Sequence, residues 1–266
     1  MCENVMISSL HKRVVQKWKT YALERWWGDY IDIRFLLVNK LSHLSGQKIL
    51  DVGCNAGIIA SEAASNGNEV VGLDYNLDAL WEYRHLFREI KLVPEIVCGS
   101  WNQLMFKEMC FDSMILSWVI YEDKTYTIKK ETIAALRRLL KPGGSIYFVE
   151  SNRLCPIQGR GLEPLWSPEE ARDFFVSQGF DVEELLGWNP LPSLFFWLPY
   201  KIKIRLPRAL LLYFSLPGRL LQYIPGWYAF FRVVGKYRFI WKYCRTYYIR
   251  AKKLDLESTV KGIGSS

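Results

Sequence analysis

Two acidic residues and a glycine-rich turn are the side chains best suited to hold a ligand. Residues 51–57 read Asp-Val-Gly-Cys-Asn-Ala-Gly, after a predicted strand and before a predicted helix. Gly53 and Gly57 lack a Cβ, so a ligand can come close to the backbone there. Asp74 ends the next predicted strand, where a carboxylate can accept hydrogen bonds from both hydroxyls of a ribose. The pattern predicts a site for a ribose-containing ligand.

The acid before the glycines narrows the class of ligand. The G-x-G-x-x-G spacing of dinucleotide sites is absent, and Asp51 would repel the phosphates of NAD(P). The same carboxylate suits a cationic ligand. The alternative is a tight turn without a ligand, beside a solvated Asp74. Cys54 could be a nucleophile or a small packed residue of the turn.

Short apolar runs that alternate with longer amphipathic runs indicate the elements that position these residues. Strands are predicted at 48–53, 69–74, 95–99, 111–118, 145–150, 180–188 and 244–253, and helices at 8–45, 58–67, 78–90, 127–140 and 168–179. Gly67 suits a left-handed helix cap, Lys141-Pro142-Gly143-Gly144 should end a helix, and Ser167-Pro168-Glu169-Glu170 is typical of a helix start. The alternation predicts an α/β doubly wound sheet.

Four segments follow one another along the chain: ILDVGCNAG, VVGLD, FDSMILSW and LLKPGGSIYFVE. In this order they resemble the successive motifs of class I S-adenosylmethionine-dependent methyltransferases. The enlarged segment between the last two predicted strands and the ending YYIRAKK resemble, more loosely, the ubiquinone/menaquinone-type subgroup (methyltransferase type 11). The resemblance implies a Rossmann-like, mostly parallel, seven-stranded sheet. It also implies that S-adenosyl-L-methionine is the cofactor and lies over the carboxyl ends of strands one, two and four.

The resemblance also assigns residues to the cofactor. Asp51, Gly53, Cys54, Asn55 and Gly57 would form the turn near its methionine part, Asp74 would hold the ribose, and Tyr75 would flank the adenine. Ser100 stands where the family often has an acid facing the adenine amine, and Trp101 could stack instead. Ser117 and Trp118 would line the methyl-transfer side. Asn55 replaces a frequent glycine, which is tolerable if its backbone conformation is ordinary.

A general base for methyl transfer does not stand out. His43 precedes strand one and would lie at the wrong end of the sheet, and His85 should face solvent on its helix. His11 could reach the site only if the N-terminal segment folds over it. Glu122, after strand four, could act as a base or cap the next helix. The catalytic residues are therefore left unknown, and no metal site is predicted.

Charge and aromatic residues are concentrated in one segment. Residues 185–254 contain 13 basic residues, no acidic residue and six prolines. The insert, residues 189–242, therefore suits short amphipathic helices that cap the acceptor site or contact an anionic membrane. RNA is a weaker option because Leu and Phe clusters suit a hydrated phosphate groove poorly.

Three domains are predicted: an N-terminal helical cap (1–45), a cofactor-binding core (46–188 and 243–256) and the insert (189–242). Trp26, Trp27 and Tyr30 in the cap could close over the acceptor or pack on the sheet. Half of the residues are apolar, which excludes disorder as the main state. Six cysteines without a C-x-x-C pair, together with the lack of a signal peptide or long apolar run, predict a cytoplasmic protein that could contact the inner membrane face.

Methyl transfer from S-adenosyl-L-methionine to a small-molecule or lipid-like acceptor is the function that these features favour. A tRNA or rRNA methyltransferase is one alternative, and a cofactor-binding protein of the same fold without catalysis is another. The acceptor, the attacking atom and the oligomeric state cannot be read from the sequence.

Overall fold

A seven-stranded sheet forms the centre of the fold in the computed structural model. The structure describes residues 37–38, 40–93, 95–101, 106–119, 130–155, 165–188, 233–242, 244 and 246–254. The strands are β1 (Lys48–Val52), β2 (Glu69–Asp74), β3 (Glu95–Cys98), β4 (Phe111–Ser117), β5 (Leu140–Ser151), β6 (Phe180–Trp188) and β7 (Thr246–Lys253). The described helices are α1 (Ile58–Ser65), α2 (Leu77–Glu89), α3 (Lys130–Leu139), α4 (Pro168–Ser177) and the short α5 (Arg238–Trp241).

The strand order is β3-β2-β1-β4-β5-β7-β6, which confirms the predicted seven-stranded, mostly parallel sheet. Neighbouring strands from β3 to β5 pair in parallel, and β7 runs antiparallel to both β5 and β6. The carboxyl ends of β1 to β6 therefore lie at one edge, together with the beginning of β7.

Apolar residues cover both faces of the sheet, as a doubly wound fold requires. On one face, α3 and α4 contribute Ile133, Leu136, Ala171 and Phe175 to a buried cluster. On the other face, the buried cluster includes Ala60, Ala63, Leu80, Tyr83 and Phe87 from α1 and α2. The strands in the middle of the sheet are buried on both faces, which explains why β1 and β4 read as nearly continuous apolar runs.

Local helix signals predicted the ends of α1 and α4 well. Gly67 adopts the predicted left-handed conformation, with φ +82°. The side chain of Ser167 accepts a hydrogen bond from the Glu170 N–H, and the Glu170 carboxylate accepts one from the Ser167 N–H. Pro168 occupies the first turn, where its missing N–H costs no helical hydrogen bond.

The start of β5 differs from the prediction. The third helix ends at Leu139, and residues 140–144 already belong to β5 rather than to a turn before a strand at 145. Leu140 pairs with Phe111, and the register then shifts before Ser113 pairs with Ser145. This irregular stretch accommodates Gly143 at φ +69°, so the proline and glycines bend the strand without ending it.

The end of the insert is fastened to the sheet. The side-chain amide of Asn152, just after β5, donates to the carbonyl oxygens of Trp241 and Cys244 at 2.7 and 2.8 Å. Asn152 is fully buried, and its Oδ1 accepts from the Leu154 N–H at 3.0 Å. Because its polar atoms are satisfied, this side chain can hold Trp241 and Cys244 against the sheet without an unpaired buried group.

Several predictions fall on residues outside those described. They concern residues 1–36 of the N-terminal cap, residues 189–232 of the insert, Glu122 and His11. The proposed domain bounds stay a prediction. Within the described ranges, no helix is both long and apolar enough to cross a membrane.

Candidate functional site

A cavity lies at the carboxyl edge of the sheet and is lined by the ends of β1, β2 and β4 and by the segments that follow them. It brings together ten of the eleven predicted cofactor residues: Asp51, Gly53, Cys54, Asn55, Gly57, Asp74, Tyr75, Trp101, Ser117 and Trp118. Ser100 is the exception, since its neighbours Gly99 and Trp101 line the cavity and it does not. The assignment of Ser100 to the adenine amine is therefore not supported by its position.

The turn after β1 is held by hydrogen bonds to β2. The backbone N–H groups of Gly53 and Cys54 donate to the carbonyl oxygen of Leu73 at 2.8 and 3.1 Å. The N–H of Asn55 donates to Asp74 Oδ2 at 2.9 Å. These three N–H groups are bonded within the protein and are not free to bind a ligand. A ligand would therefore meet the neighbouring carboxylates and the backbone at the glycines, where no side chain is in the way.

Asp74 links the turn to the start of α2. Its Oδ1 accepts from the Asn76 N–H at 2.9 Å, while Oδ2 accepts from Asn55. Each carboxylate oxygen can accept more than one hydrogen bond, so both oxygens keep capacity for the hydroxyls of a ribose. Asp74 is almost fully buried and still lines the cavity, which makes it accessible to a ligand inside the cavity alone.

Asp51 is the second acid of the cavity and is 2% exposed. Burial, with a further contribution from the charge of Asp74, raises the pKa of Asp51 to about 8 from the ordinary 3.8. A buried carboxyl of this kind favours a positively charged ligand, which would compensate its ionised form.

Asn55 departs from the expected ordinary backbone. It is left-handed, with φ +47°, and its Oδ1 accepts a hydrogen bond from the Ala56 N–H at 2.7 Å. Asparagine tolerates this conformation better than most residues because its short polar side chain can hydrogen-bond locally. The substitution of the frequent glycine is thus tolerated for a different reason from the one expected.

Replacing Asn55 separates backbone conformation from side-chain chemistry. We expect Asn55→Gly to keep the turn and change the free energy of unfolding by less than about 1 kcal/mol, whereas Asn55→Val should lose about 1–3 kcal/mol because a β-branched residue is strained at positive φ. Urea unfolding measures both. Equal stability of the two variants would contradict a left-handed Asn55.

Gly53 and Gly57 serve different purposes. A Cβ on Gly53 would have its nearest contact with Val119 Cγ2, at 3.4 Å, and both residues line the cavity. A Cβ on Gly57 would lie 2.1 Å from Cδ2 of Tyr83, which is behind the turn. The sequence suggested that both glycines make room for a ligand, whereas the missing side chain of Gly57 makes room for a tyrosine ring.

Gly53→Val should abolish cofactor binding while the fold survives, because the added Cβ and methyl groups narrow the cavity. Gly46→Val is the matched control: Gly46 has φ +66°, close to the +68° of Gly53, and nothing lies within 4 Å of its Cβ position. Both variants should lower the melting temperature through backbone strain. Calorimetry should detect loss of binding in Gly53→Val alone, and normal binding in that variant would show that the turn does not hold the cofactor.

The predicted methyl-transfer side lies at the end of β4, where Ser117 and Trp118 both line the cavity. Trp118 is buried and left-handed, with φ +54°, and its N–H donates to the Val149 carbonyl at 2.9 Å. Such strained backbone persists where the surrounding structure requires it, and it is enriched at functional sites. Ser117 Oγ is buried and has no hydrogen-bond partner within the described part of the chain.

The structure narrows the search for reactive residues. Burial, followed by the charges of Asp51 and Asp74, raises the pKa of the Cys54 thiol well above its ordinary value, so a thiolate nucleophile is unfavourable there. His85 is exposed on α2, 3.5 Å from Glu89, as expected. His43 is exposed before β1, at the opposite edge from the cavity. None of these three side chains is placed to remove a proton from an acceptor in the cavity.

Sequence reasoning missed several lining residues, among them Asn76, Ala79, Gly99 and Val119. Asn76 had a readable signal: it follows Asp74 by two residues and caps α2 by accepting from the Asp78 and Ala79 N–H groups. Val119 had no signal in the sequence, because its place in the cavity depends on the turn of the chain at Trp118.

The fold is Rossmann-like, and the two acids beside the glycine turn suit a cationic, ribose-containing ligand. Residues 50–148 match a family model described as a methyltransferase domain. The fold is similar to that of an S-adenosylmethionine-dependent methyltransferase from Mesorhizobium loti. The TM-score is 0.52, the sequence identity is 14%, and the match covers 82% of this chain and 96% of that one. The fold is also similar to that of the [4+2]-cyclase SpnF, with TM-score 0.57, 18% identity and coverage of 86% and 83%.

Curated relatives agree with this class. The ubiquinone biosynthesis O-methyltransferase of Thiobacillus denitrificans is 26% identical, covering 64% of this chain and 85% of that protein. The mitochondrial enzyme of that name from Rattus norvegicus is 28% identical, covering 58% and 50%, and the one from Mus musculus is 25% identical, covering 71% and 62%. The match thus spans between half and two thirds of the two mammalian relatives. These matches agree with the predicted resemblance to class I S-adenosylmethionine-dependent methyltransferases, and the cofactor of that class is S-adenosyl-L-methionine.

The residues present fit that cofactor. S-adenosyl-L-methionine carries a ribose and two cationic centres, and the cavity supplies Asp74 with spare acceptor capacity and Asp51 without a basic partner among the described residues. Ser117 Oγ, which has no partner among the described residues, adds a further hydrogen-bonding group on the β4 side. The missing side chain of Gly53, which lines the cavity, lets the ligand approach the backbone.

Proposed function

We propose that this chain transfers a methyl group from S-adenosyl-L-methionine to an oxygen of a small, lipid-like, quinone-type acceptor. The observation that carries the proposal is the cavity with Asp51 and Asp74 on either side of the glycine turn, which suits a cationic nucleoside. The acceptor class is supported by relatives whose names state O-methylation in ubiquinone biosynthesis. The cofactor supplies an activated methyl group when it is bound.

In this proposal the residues of this chain bind the cofactor, orient the acceptor and exclude water from the cavity. Asp74 accepts hydrogen bonds from the ribose hydroxyls. Asp51 compensates the positive charge of the methionine part of the cofactor. Trp118 is 5% exposed and Trp101 is 8% exposed, so both bring apolar surface to the cavity and exclude water from it. An acceptor hydroxyl aligned behind the methyl group would form the new O–C bond as the C–S bond breaks, and it would release its proton to water. Orientation would lower the barrier because the reacting atoms are already held close together.

Label transfer tests the function. The protein is incubated with cofactor labelled in its methyl group and with a cell extract, which is then separated into lipid, RNA, protein and small-molecule fractions. We expect label in the lipid fraction, and much less transfer by a folded Asp74→Ala variant at a cofactor concentration below that variant's Kd. Label in RNA would favour an RNA methyltransferase instead, and cofactor binding without transfer would favour a non-catalytic binding protein.

We further propose that the insert contacts an anionic membrane from which the acceptor is taken. The described end of the insert supports this: Tyr237 is 54% exposed and Phe239 is 66% exposed. Lys236 and Lys242 are exposed nearby, and Arg238 is hydrogen-bonded to Glu169. Exposed aromatic rings beside lysines suit the headgroup region, where each basic residue can add about 1 kcal/mol.

Co-sedimentation with anionic liposomes at low and high salt tests this contact. Replacing Tyr237 and Phe239 by serine should reduce the salt-resistant binding, and replacing Lys236 and Lys242 by glutamine should reduce the salt-sensitive binding. Liposomes of neutral lipid are the control. A protein that ignores anionic liposomes at low salt would contradict the membrane contact, and the insert would then be a cap over a water-soluble acceptor.

A further inference from the structure

Tyr83 lies behind the glycine turn and outside the lining of the cavity. It stands on α2, is fully buried, and its ring stacks on that of Phe87 with centroids 4.4 Å apart and planes 9° apart. The cavity-lining residues include Ala79, one turn earlier on the same helix, but not Tyr83. Tyr83 therefore has no direct access to a ligand.

Two glycines leave the space that the Tyr83 ring fills. A Cβ at Gly57, in the turn, would lie 2.1 Å from Tyr83 Cδ2, and a Cβ at Gly72, in β2, would lie 2.6 Å from Tyr83 Cε2. Real Cβ atoms do not approach other atoms this closely, so no larger residue fits at either position while the ring stays. One aromatic ring is thus in contact with both backbone segments that form the base of the site.

These two segments carry the acids of the site. Gly72 is the direct partner of Asp51 across β1 and β2, and it precedes Asp74 by two residues on the same strand. Gly57 ends the turn whose Asn55 N–H donates to Asp74 Oδ2. A ring wedged between Gly57 and Gly72 consequently sets the separation of the turn and β2, and with it the positions of both carboxylates.

We infer that Tyr83 is a positioning residue for the cofactor site, acting by filling the space left by Gly57 and Gly72. The inference rests on the proposed use of the cavity for S-adenosyl-L-methionine. The hydroxyl is not needed for this role: it is buried and has no hydrogen-bond partner within the described ranges. Tyr83→Phe should therefore keep the shape of the site, because it keeps the ring.

The test compares ligand affinity with stability in four variants. Calorimetry with S-adenosylhomocysteine measures affinity, and thermal unfolding measures stability. Tyr83→Leu and Phe87→Leu should lose similar stability because each truncates one ring of the same buried stack. Of these two variants, only Tyr83→Leu should lose affinity, by about tenfold or more, because the two carboxylates shift by a fraction of an ångström to an ångström. Tyr83→Phe should bind within about twofold of the wild type, and Gly72→Ala should bind more weakly.

A double variant keeps the proposal falsifiable if a single variant folds poorly. Adding Tyr83→Leu to Gly72→Ala removes the clash with the ring and leaves the close approach to Cys54 Sγ, at 2.9 Å. The double variant should therefore lose less affinity than the sum of the two single losses, although it should not recover wild-type affinity. Additive losses, or equal affinities of Tyr83→Leu and Phe87→Leu, would overturn the positioning role while leaving the cofactor site intact. A wild-type protein that does not bind S-adenosylhomocysteine would overturn the proposed function itself.

Discussion

Asp74→Ala should weaken the binding of S-adenosyl-L-methionine and of its demethylated product by about 30- to 1,000-fold. The variant loses two charge-assisted hydrogen bonds to the ribose, together about 2–4 kcal/mol. It also loses the acceptors of the Asn55 and Asn76 N–H groups, which hold the turn and the start of α2. The loss of affinity should therefore lie toward the upper part of this range.

Calorimetry on folded protein measures this loss. Asp78→Ala is the matched control: Asp78 is an exposed acid in the first turn of α2, outside the cavity lining. It should bind both ligands like the wild type. An Asp74→Ala variant that folds and binds normally would contradict the assignment of Asp74 to the ribose.

The affinity for S-adenosyl-L-methionine should rise with pH, by up to about tenfold per unit between about pH 6 and pH 8, and then level off. Asp51, with its pKa raised to about 8, is mostly protonated in the free protein below that pH. A cationic ligand favours the carboxylate, so binding below pH 8 must release a proton. Calorimetry in buffers of different ionisation enthalpy measures that proton directly.

Asp51→Asn is the control for this pH dependence, because it removes the titrating group and keeps the ligand's own titration. Its profile across this window should show the ligand's own titration and lack the rise in affinity that Asp51 causes in the wild type. Comparison of the two ligands shows which cationic group of the cofactor lies beside Asp51. If S-adenosylhomocysteine shows the same pH dependence of affinity, Asp51 pairs with the amino group. If only S-adenosyl-L-methionine shows it, Asp51 pairs with the sulfonium. A wild-type profile with the same slope as that of Asp51→Asn would contradict a raised pKa.

The Asp51 carboxyl also makes the free energy of unfolding depend on pH, and the direction of this dependence follows from the raised pKa. Because the folded-state pKa of Asp51 is raised from 3.8 to about 8, the folded state keeps a proton that the unfolded chain has lost. The contribution of Asp51 to stability is therefore full below about pH 4 and decreases as pH rises toward 8, by at most about 1.4 kcal/mol per unit. Urea unfolding of the wild type and of Asp51→Asn should show this difference in slope.

Features governed by neighbours along the chain could be predicted from the sequence. The capping box at Ser167, the left-handed Gly67 and the order of strands and helices all follow from local patterns. The meeting of Asp51 and Asp74 at one edge also follows, since parallel strands bring their carboxyl ends together. The family resemblance then supplied the cofactor.

Features set by contacts distant in sequence could not be predicted. The role of Gly57 depends on Tyr83, which reaches it only after α2 has packed on β2. The strand pairing of Leu140 with Phe111 overrides the turn signal of the proline and glycines that follow it. Which of Gly99, Ser100 and Trp101 face the cavity depends on how the chain leaves β3, and composition carries no information on that.

The pairing of Trp188 with Thr246 determines which segment of this domain can be replaced while the sheet is kept. These residues are direct partners across β6 and β7, so the chain leaves the sheet after residue 188 and returns at residue 246 to nearly the same point. That point lies at the cavity's edge of the sheet. The part of the segment before residue 233 can therefore be exchanged or lengthened without moving either strand, while Gly235, Trp241 and Cys244 keep their hydrogen bonds to Gly187 and Asn152. If the insert selects the acceptor, as we propose, a domain with this connectivity can change its acceptor by exchanging one segment while its cofactor site is inherited unchanged.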